Sequence, residues 1–443
     1  MIALTIAIAL SAQLAAGTQT DTLKPDFSHP WTLSRCTEWA MDHNLTVALQ
    51  NTAAENREIE ENTARWAWLP QASGQASENF NFGRGLGGNN TYESGNSSTT
   101  SFSVGASMSL FDGGATYNQS KLASLNLEAA LADLEKARDD IRVAVAQAYV
   151  QILYNYEIRD VAQQQITIDS LQVERLERMY ESGRASAAEV SQQKASLAQS
   201  RVTLIQAQNN VRSSVLDLAQ LLEFTDWEGF AVERPSVVMD AMAIGNPDDI
   251  YLDALGIRPA IRAEELRLEG TDRSIAIARS RYSPSLSLSG GFGTNFYSNF
   301  GGMGFWDQLN NNFSQYVGLS LSVPIFSKFS IRNQVRSAKV NQVSQEMQLR
   351  LVKQNLYKEI QQAWNAAVAA EAKYQASQAA AAAAQDSFTL IQARYENGKA
   401  TITEFNESRN QLMKARSDAV QATYEYLFQT RLVNFYRGGS LDF

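Results

Sequence analysis

The sequence has very few of the residues that build metal sites and disulfide frameworks: its 443 residues include one cysteine and two histidines. A lone thiol excludes a disulfide framework, and the three side chains together are too few for a zinc site of cysteine and histidine ligands. Basic residues are also in deficit. The net charge of −9 at pH 7 argues against a nucleic-acid-binding protein, which needs a dense basic surface. We therefore expect no metal, no cofactor and no nucleic-acid partner.

Long apolar runs are missing as well, except at the N-terminus. Ile2–Leu10 is apolar and is followed by small residues with a candidate cleavage site near Ala15, which predicts a signal peptide over residues 1–17. The usual positive charge near Met1 is absent, so the alternative is a hydrophobic start of the mature chain. No other stretch reaches the ~20 apolar residues of a membrane-spanning helix. A chain of this kind crosses a membrane as β-strands or not at all.

Glycine and proline, which interrupt helices, are few and clustered. Neither occurs between Gly114 and Gly183, nor between Pro324 and Gly398. At 1.5 Å per residue, each of these gaps of roughly 70 residues predicts a helix roughly 100 Å long. A further uninterrupted run follows each of these two glycines, and a fifth extends from Trp31 to Leu69.

The first long gap has the spacing of a coiled coil. Its apolar side chains follow steps of four and three, with Arg138 as the one polar intruder; they are Leu127, Leu131, Leu134, Ile141, Val145, Ala148 and Ile152. Ala130, Ala137 and Ala144 widen this stripe, which indicates that the helix has neighbours on more than one side. A closed ring of helices gives each helix two neighbours, whereas a single hairpin gives it one.

Two windows alternate with the period of a β-strand. Ser101–Leu110 and Phe313–Val323 place apolar residues on one face and serine or glycine on the other, and each follows a weaker partner, Leu69–Phe82 and Pro284–Phe292. About ten residues of this pattern are typical of a lipid-facing barrel strand around a wet lumen. The alternative is a half-buried sheet of a soluble protein. Between the strands lie a polar glycine-rich loop and an aromatic loop at 293–312, which we interpret as packing at a barrel rim or as an exposed loop.

The chain is a tandem duplication. The heptapeptide Tyr180–Ser186 (YESGRAS) recurs as Tyr395–Thr401 (YENGKAT), an offset of 215 in the numbering, and Leu110-Phe111 recurs as Ile325-Phe326 with the same offset. Leu69-Pro70 and Ser283-Pro284 have an offset of 214. Three landmarks in register predict that each copy runs helix, strand, loop, strand, very long helix, tight turn, helix. We place the first repeat at 31–226, a linker at 227–256 and the second repeat at 257–439.

Two strands per repeat give four strands per chain. Four strands do not close a barrel, and an open sheet edge does not face lipid. Several chains must therefore combine, with the helices continuing as a tube of the same symmetry. A trimer supplies twelve strands and makes each repeat one sixth of the tube, although the number three does not follow from these arguments alone.

The chain resembles the TolC family of outer membrane efflux proteins. The resemblance is carried by Ser283–Ser287, by its looser copy at Leu69-Pro70, by the strand-to-helix joints Ser109–Gly114 and Val323–Phe326, and by the two glycine turns. It implies a mainly α-helical chain whose long antiparallel helices form a periplasmic α-barrel and whose four strands contribute to a twelve-stranded trimeric barrel in the outer membrane. The implied partners are two further copies, outer-membrane lipid, a periplasmic adaptor protein and an inner-membrane pump.

The resemblance also implies roles for residues at the glycine turns, which in this family are the periplasmic tips that close the tube. Gly183 and Gly398 then mark the tip turns. Tyr395 aligns with a gating tyrosine and Glu189 with an acidic gate partner. The position of a gate arginine is Ala400 in this chain, and the neighbouring Lys399 is the candidate that replaces the arginine in the periplasmic gate.

Two glutamates align with the pore constriction of the family. Glu404 and Glu407 are three positions apart and share one helix face, so threefold symmetry stacks two rings of carboxylates. Crowded carboxylates in a narrow pore attract cations and repel anions, and we expect these rings to set the selectivity of the closed tip. The alternative is that both glutamates belong to a solvated helix surface.

Three classes of function remain at this point. The resemblance favours a passive exit duct of a tripartite efflux or type I secretion system, which exports small molecules or polypeptides. Since the sequence has no G-x-x-x-x-G-K nucleotide loop, the energy must come from a partner. A trimeric coiled-coil stalk without transport activity is the alternative, although the alternating strands do not suit it. We expect no enzymatic activity, because no catalytic constellation is present.

Overall fold

The structure is a computed structural model that describes residues 26–86, 91–235, 244–298 and 303–442. The predicted signal peptide, part of the predicted linker and four residues of the aromatic loop lie outside these ranges. Among the described residues, every helix is too short or too polar to cross a lipid bilayer.

The first half of the chain contains six helices and strands that form the repeat, with a small hairpin inserted between its two main strands. Its elements are α1 (Leu33–His43), α2 (Leu45–Arg65), β1 (Gln71–Asn81), β2 (Arg84–Leu86), β3 (Tyr92–Ser94), β4 (Ser97–Phe111), α3 (Ala115–Glu181) and α4 (Ala187–Leu221).

The second half repeats this order, with a short helix in place of the small hairpin. Its elements are α5 (Pro247–Ile257), α6 (Pro259–Ser280), β5 (Ser285–Tyr297), α7 (Phe305–Asn311), β6 (Ser314–Ser322), α8 (Ser330–Glu396) and α9 (Ile402–Tyr436). The order of the main helices and strands and the length of the longest helix are the same in both halves. The segment 227–256, predicted as a linker, contains most of α5, which corresponds to α1 of the first half.

The two longest helices, α3 and α8, have 67 residues each. Helix α3 begins where Gly113 and Gly114 adopt positive φ angles of 69° and 85°, and a side chain at Gly113 would meet the carbonyl oxygen of Ser280 at 2.7 Å. The Asp112 carboxylate accepts hydrogen bonds from the backbone N–H of Gly114 (3.1 Å) and of Thr116 (2.8 Å). Glycine thus fixes the joint between strand and helix through both its conformation and its size.

The four main strands form one antiparallel sheet in the order β1-β4-β5-β6. Strands β4 and β5 belong to different repeats and pair along their length, from Thr99–Tyr297 to Phe111–Leu286. One face of the sheet exposes Phe102, Val104, Phe292, Val317, Leu319 and Leu321. The opposite face is formed mainly by serine and glycine, which confirms the predicted alternation along the strands.

The run from Trp31 to Leu69 is not one helix, although it contains neither glycine nor proline. Asn44 separates α1 from α2: its side-chain oxygen accepts a hydrogen bond from the backbone N–H of Thr46 (2.9 Å). Its side-chain nitrogen donates to the carbonyl oxygen of Leu221 at the end of α4 (2.9 Å). Asn44 therefore caps two helices at once, and it holds the start of α2 against the end of α4.

The second repeat contains the corresponding junction at the equivalent position. Here Arg258 separates α5 from α6 and donates a hydrogen bond to the carbonyl oxygen of Phe435 near the end of α9. The guanidinium also forms an ion pair with Asp139 of α3, with a distance of 3.0 Å between Arg258 Nη1 and Asp139 Oδ2. A cation at a helix C-terminus is stabilised by the helix dipole, so the two repeats make the same joint with different chemistry.

The largest apolar core lies where α1, α3 and α4 meet, far from both the sheet and the helical turns. Trp31 is buried among Phe224, Phe230 and Trp39, with ring centroids between 5.2 and 5.9 Å from that of Trp31. Cys36 is fully buried in the same cluster, and burial raises the pKa of its thiol to about 12. This core holds the C-terminal end of α4 against the middle of α3, and the rest of α4 forms a hairpin with the C-terminal part of α3.

Candidate functional site

The two glycine turns have the same backbone geometry. Gly183 and Gly398 have φ angles of 69° and 68°, a region that side chains disfavour. In each turn the residue after the glycine closes the helix: the backbone N–H of Arg184 donates to the Met179 oxygen, and that of Lys399 donates to the Arg394 oxygen, both at 2.8 Å. This pattern is a Schellman motif, and it produces a tight reversal between two long helices.

Glu189 and Glu404 have one and the same structural role. Each accepts a hydrogen bond from the backbone N–H three positions earlier, at Ser186 (2.7 Å) and Thr401 (2.6 Å), and each backbone N–H donates in return to that residue's hydroxyl oxygen. These are capping boxes at the start of α4 and α9. The hydrogen bonds hold the pKa of both carboxyl groups below its usual value.

The two glutamates expected at the pore therefore differ. One carboxylate oxygen of Glu404 is held by the chain itself, whereas Glu407 is exposed one turn further along the same helix. The position equivalent to Glu407 in the first repeat is Gln192, so that repeat has the capping glutamate without a second carboxylate. Lys399 is exposed in its turn, where its backbone oxygen accepts a hydrogen bond from the Arg394 side chain (3.2 Å).

Tyr395 connects the two helical hairpins of the chain, α3–α4 and α8–α9. Its hydroxyl oxygen accepts a hydrogen bond from the Gln172 side chain of α3 (2.8 Å), and its ring stacks on that of Phe405 with centroids 5.1 Å apart. The Arg175 guanidinium lies over the Tyr395 ring at 5.2 Å from the centroid and also donates to the Glu396 carbonyl oxygen (3.1 Å). Burial between these groups raises the pKa of the Tyr395 hydroxyl.

A buried ion pair lies between the same hairpins, further from the glycine turns than Tyr395. Sequence reasoning missed this pair. Asp169 of α3 is fully buried, and the Arg409 side chain of α9, which is 3% exposed, donates a hydrogen bond to it. Gln165, Gln193 and Ser200 also donate to the Asp169 carboxylate, and Arg409 donates to the Ser196 hydroxyl oxygen (3.0 Å). Burial lowers the pKa of Arg409, and the adjacent carboxylate opposes that shift.

Comparison with known proteins assigns the chain to a family. The family model described as "Outer membrane efflux protein" matches residues 40–222 and 250–434, which is most of the chain. The chain belongs to the outer membrane efflux protein family. It is thus an outer-membrane channel of efflux systems whose helices extend into the periplasm, and the alternative of a structural stalk has no support.

Individual relatives are distant. Outer membrane protein TolC of Escherichia coli (strain K12) is 23% identical over 367 residues, which cover 77% of this chain and 71% of that protein. The fusaric acid resistance protein FusA of Burkholderia cepacia is 28% identical over 287 residues, covering 62% of this chain and 52% of that protein.

Solved structures share the fold. The outer membrane channel CmeC of Campylobacter jejuni has a TM-score of 0.79 at 18% identity, covering 93% of this chain and 86% of that one. The outer membrane protein VceC of Vibrio cholerae has a TM-score of 0.76 at 19% identity, covering 93% of this chain and 97% of that one. Members of the family are channels and not enzymes, and they work as trimers with an adaptor and an inner-membrane pump.

Proposed function

We propose that three copies of this chain form one passive exit duct, which carries small molecules or polypeptides from an adaptor and an inner-membrane pump to the cell exterior. The duct itself has no enzymatic activity. The repeats at 31–226 and 257–439 of the three chains form six pseudo-equivalent segments of its wall. The observation that supports this proposal most directly is the pairing of β4 with β5, because it is a contact between repeats that is repeated only if further copies are added.

The internal contact gives the register of the contact between chains. In the β4–β5 ladder, from Thr99–Tyr297 to Ser109–Ser287, paired residue numbers add up to 396, as in Ser103–Gly293. Shifting β4 by 215 gives β6, and shifting β5 by −214 gives β1, so residue numbers of β6 and of the neighbour's β1 add up to 397. Ser320 then lies opposite Ser77, and Val317 lies opposite Phe80. Polar residues meet polar ones and apolar residues meet apolar ones, as a barrel wall requires.

The helices, like the edge strands of the sheet, have faces without a packing partner among the described residues. Helix α3 packs between α2 and α6, whereas α8 packs on α6 and has no counterpart of α2 on its other side among the described residues. That side of α8 exposes apolar residues at helical spacing, and the outer side of α2 does likewise; they are Val340, Val343, Met347 and Leu351 of α8, and Leu45, Leu49 and Ile59 of α2. We propose that α8 of one copy packs on α2 of the next.

Cross-linking between strands tests the duct. The S320C/S77C variant in detergent is expected to form disulfide bonds between chains up to a covalent trimer, because residues directly opposite in a ladder bring their Cβ atoms close enough. The matched control is S320C/S73C, whose second cysteine lies on the same face about 13 Å further along β1. The native Cys36 does not interfere, since it is fully buried.

The outcomes of this experiment separate two claims. Chains that remain single particles in detergent would contradict the duct as a whole. Trimers in which S320C/S73C links more readily than S320C/S77C would contradict only the register. Single-channel currents of the reconstituted wild-type trimer supply the functional half of the test, because a stalk without a lumen carries none.

At the turns, we propose that Tyr395, Lys399 and Glu189 form the periplasmic gate around the Gly183 and Gly398 turns, and that Glu404 and Glu407 narrow the pore. The geometry supports Glu407 as the free carboxylate of this set. What passes the tip is proposed from chemistry alone: cations and neutral molecules pass a ring of carboxylates more easily than anions do.

A further inference from the structure

Strand β5 extends beyond the end of β6, and α7 covers the extension. The pairing of β5 with β6 ends at Gly293–Ser314, whereas the pairing of β5 with β4 continues to Tyr297. Among the described residues, positions 294–297 of β5 therefore have a neighbouring strand on one side alone. A strand edge presents backbone N–H and C=O groups, and these groups need partners wherever water is absent.

Side-chain amides take the place of the missing strand. The Gln308 amide nitrogen donates a hydrogen bond to the Tyr297 carbonyl oxygen (3.1 Å), and the Gln308 amide oxygen accepts one from the Tyr297 backbone N–H (3.0 Å). The Asn312 amide nitrogen donates to the Asn295 carbonyl oxygen (2.8 Å). Gln308 is only 3% exposed. Water can satisfy a strand edge in solution, whereas lipid cannot, so this cover is what an edge at membrane depth requires.

Helix α7 lies over the apolar face of the sheet. The Thr294 hydroxyl donates a hydrogen bond to the Leu309 carbonyl oxygen, and the rings of Phe296 and Phe305 pack with centroids 5.0 Å apart. Thr294 is paired with Phe102, so its side chain lies on the apolar face, and so does that of Phe296 two residues further along β5. In a closed barrel whose polar face lines the lumen, α7 is therefore outside the wall.

The outer side of α7 and of its flanking residues is apolar. Trp306 is 78% exposed, Met303 56% and Phe313 57%. Asp307 is the one charged residue of the helix. The neighbouring chain does not cover this surface, because it is expected to continue the wall beside β6, in the plane of the sheet. The contact that remains for these side chains outside the wall is the lipid that surrounds the barrel.

We propose that α7 is an interfacial membrane helix, which inserts Trp306 between the acyl chains and the headgroups of the outer leaflet. The inference rests on the proposed duct, in which the loop between β5 and β6 lies at the end of the barrel opposite the long helices. Phe296 is ten residues beyond Leu286, which amounts to ~25 Å along the membrane normal for a strand tilted by about 40°. The apolar band of such a barrel is about 25 Å tall and is bounded by aromatic residues. Helix α7 thus lies at the outer limit of this band.

The first repeat offers an internal comparison. Hairpin β2–β3 occupies the place of α7 there, and it contains the charged residues Arg84 and Glu93. Tyr92 of this hairpin is 68% exposed, which is close to the exposure of Trp306. Since charged side chains favour water, we expect the hairpin to lie outside the membrane. Each trimer then has three interfacial helices that alternate with three hydrated hairpins.

The first experiment measures the depth of three side chains in trimers reconstituted into phosphatidylcholine vesicles. Nitroxide labels are attached to W306C, to Y92C as the matched control, and to L319C as the reference on the apolar face of β6; Cys36 is buried and does not react. Oxygen concentrates among acyl chains, whereas a neutral nickel chelate remains in water. We expect the label at position 306 to be several times more accessible to oxygen than to the chelate, as at position 319, and the label at position 92 to show the reverse.

The outcomes separate the inference from the duct. A label at position 306 that prefers the chelate, while the label at position 319 is in lipid, overturns the interfacial helix and leaves the duct intact. Low accessibility to both reagents at position 306 overturns it as well, because protein then covers the helix. A label at position 319 that prefers the chelate shows that the sheet does not face lipid, and the proposed duct then fails together with this inference.

The second experiment uses the native side chain and needs no label. The emission lost in W306F, taken as the difference between the wild type and the variant, is expected to lose most of its intensity in vesicles whose acyl chains are brominated. W364F is the matched control, because the Trp364 indole donates to the Gly245 carbonyl oxygen (2.8 Å) within the helical part of the chain. Its difference emission should be equal in brominated and ordinary vesicles. The same equality for W306F would overturn the proposal.

Discussion

At the scale of single residues, the carboxylates near the turns are of two kinds: some accept hydrogen bonds from backbone N–H groups at a helix start, and others do not. Glu189 and Glu404 accept hydrogen bonds from the chain that folds around them, and Glu407 does not enter any such cap. The first two close a helix end, which is a local task present in both repeats. The third occurs in the second repeat alone, so its position is free to serve the pore.

Selectivity follows from this division. We expect E407Q to reduce the cation preference of the reconstituted channel, because it removes a ring of three exposed charges. E404Q is expected to change the preference less, since glutamine at this position still caps α9 and its carboxylate is partly engaged in the wild type. Reversal potentials under a salt gradient measure both variants. Equal preference in E407Q and the wild type would remove Glu407 from the pore.

The pH dependence of the turns follows from the same hydrogen bonds. The pKa of Glu404 is lowered in the folded chain from its usual 4.5, so its cap contributes stability above that value and loses it as the pH falls through the lowered pKa. We expect the first turn of α9 to lose hydrogen-exchange protection, after correction for intrinsic rates, between neutral pH and pH values below 4.5. E404Q should lose this pH dependence; the same dependence in E404Q would assign it to another group.

The capping glutamates were accessible from the sequence. Ser186 and Glu189, like Thr401 and Glu404, have the S/T-x-x-E spacing of a capping box directly after a glycine turn. The family resemblance assigns Glu189 and Glu404 to the gate and the pore by their charge, whereas their spacing predicts the caps that the structure shows. The Asp169–Arg409 pair was not accessible, because its members are 240 residues apart and nothing local marks either as buried.

At the scale of helices and strands, the missing glycines and prolines predicted α3 and α8 to within a few residues. Alternation predicted the strands because each has one polar and one apolar face. The break at Asn44 was not predicted, since an asparagine inside a good helical pattern becomes a cap only when a second helix end, here at Leu221, lies within reach. Sequence reasoning therefore finds elements well and finds their junctions poorly.

The junction itself is testable. N44A removes a cap from α2 and a donor from the end of α4, and we expect it to lower the free energy of unfolding by about 1–2 kcal/mol. N51A, which removes an exposed side-chain hydrogen bond to Glu55 on α2, is the matched control and should have little effect. Thermal unfolding of the two variants gives the comparison. A melting temperature for N44A equal to that of N51A would show that this helix junction needs no cap.

At the scale of the whole molecule, we expect the apolar face of the sheet to contact lipid and the serine-rich face to line the lumen. Leu319 lies on the apolar face near the middle of β6, and Ser320 lies on the polar face beside it. L319R is expected to reduce the amount of assembled trimer in membranes, because arginine on the lipid face near the bilayer centre costs about 2–4 kcal/mol.

The neighbouring substitution is the control for face. S320R should assemble normally and lower the single-channel current, since its side chain enters the lumen. Membrane fractionation and bilayer recordings of both variants test this pair of expectations. The opposite pattern, with S320R failing to assemble and L319R conducting normally, would place lipid on the serine face.

The two outer strands of the sheet have a consequence for how the protein is made. Until sister chains arrive, the outer edges of β1 and β6 have no partner strand within the part of the chain that the structure describes, so each presents a row of backbone N–H and C=O groups. Such rows pair with any extended polypeptide nearby, including the wrong strand of the right protein. A newly exported copy thus needs a holding factor, or quick encounters with its siblings, and slow supply should favour aggregates over finished ducts.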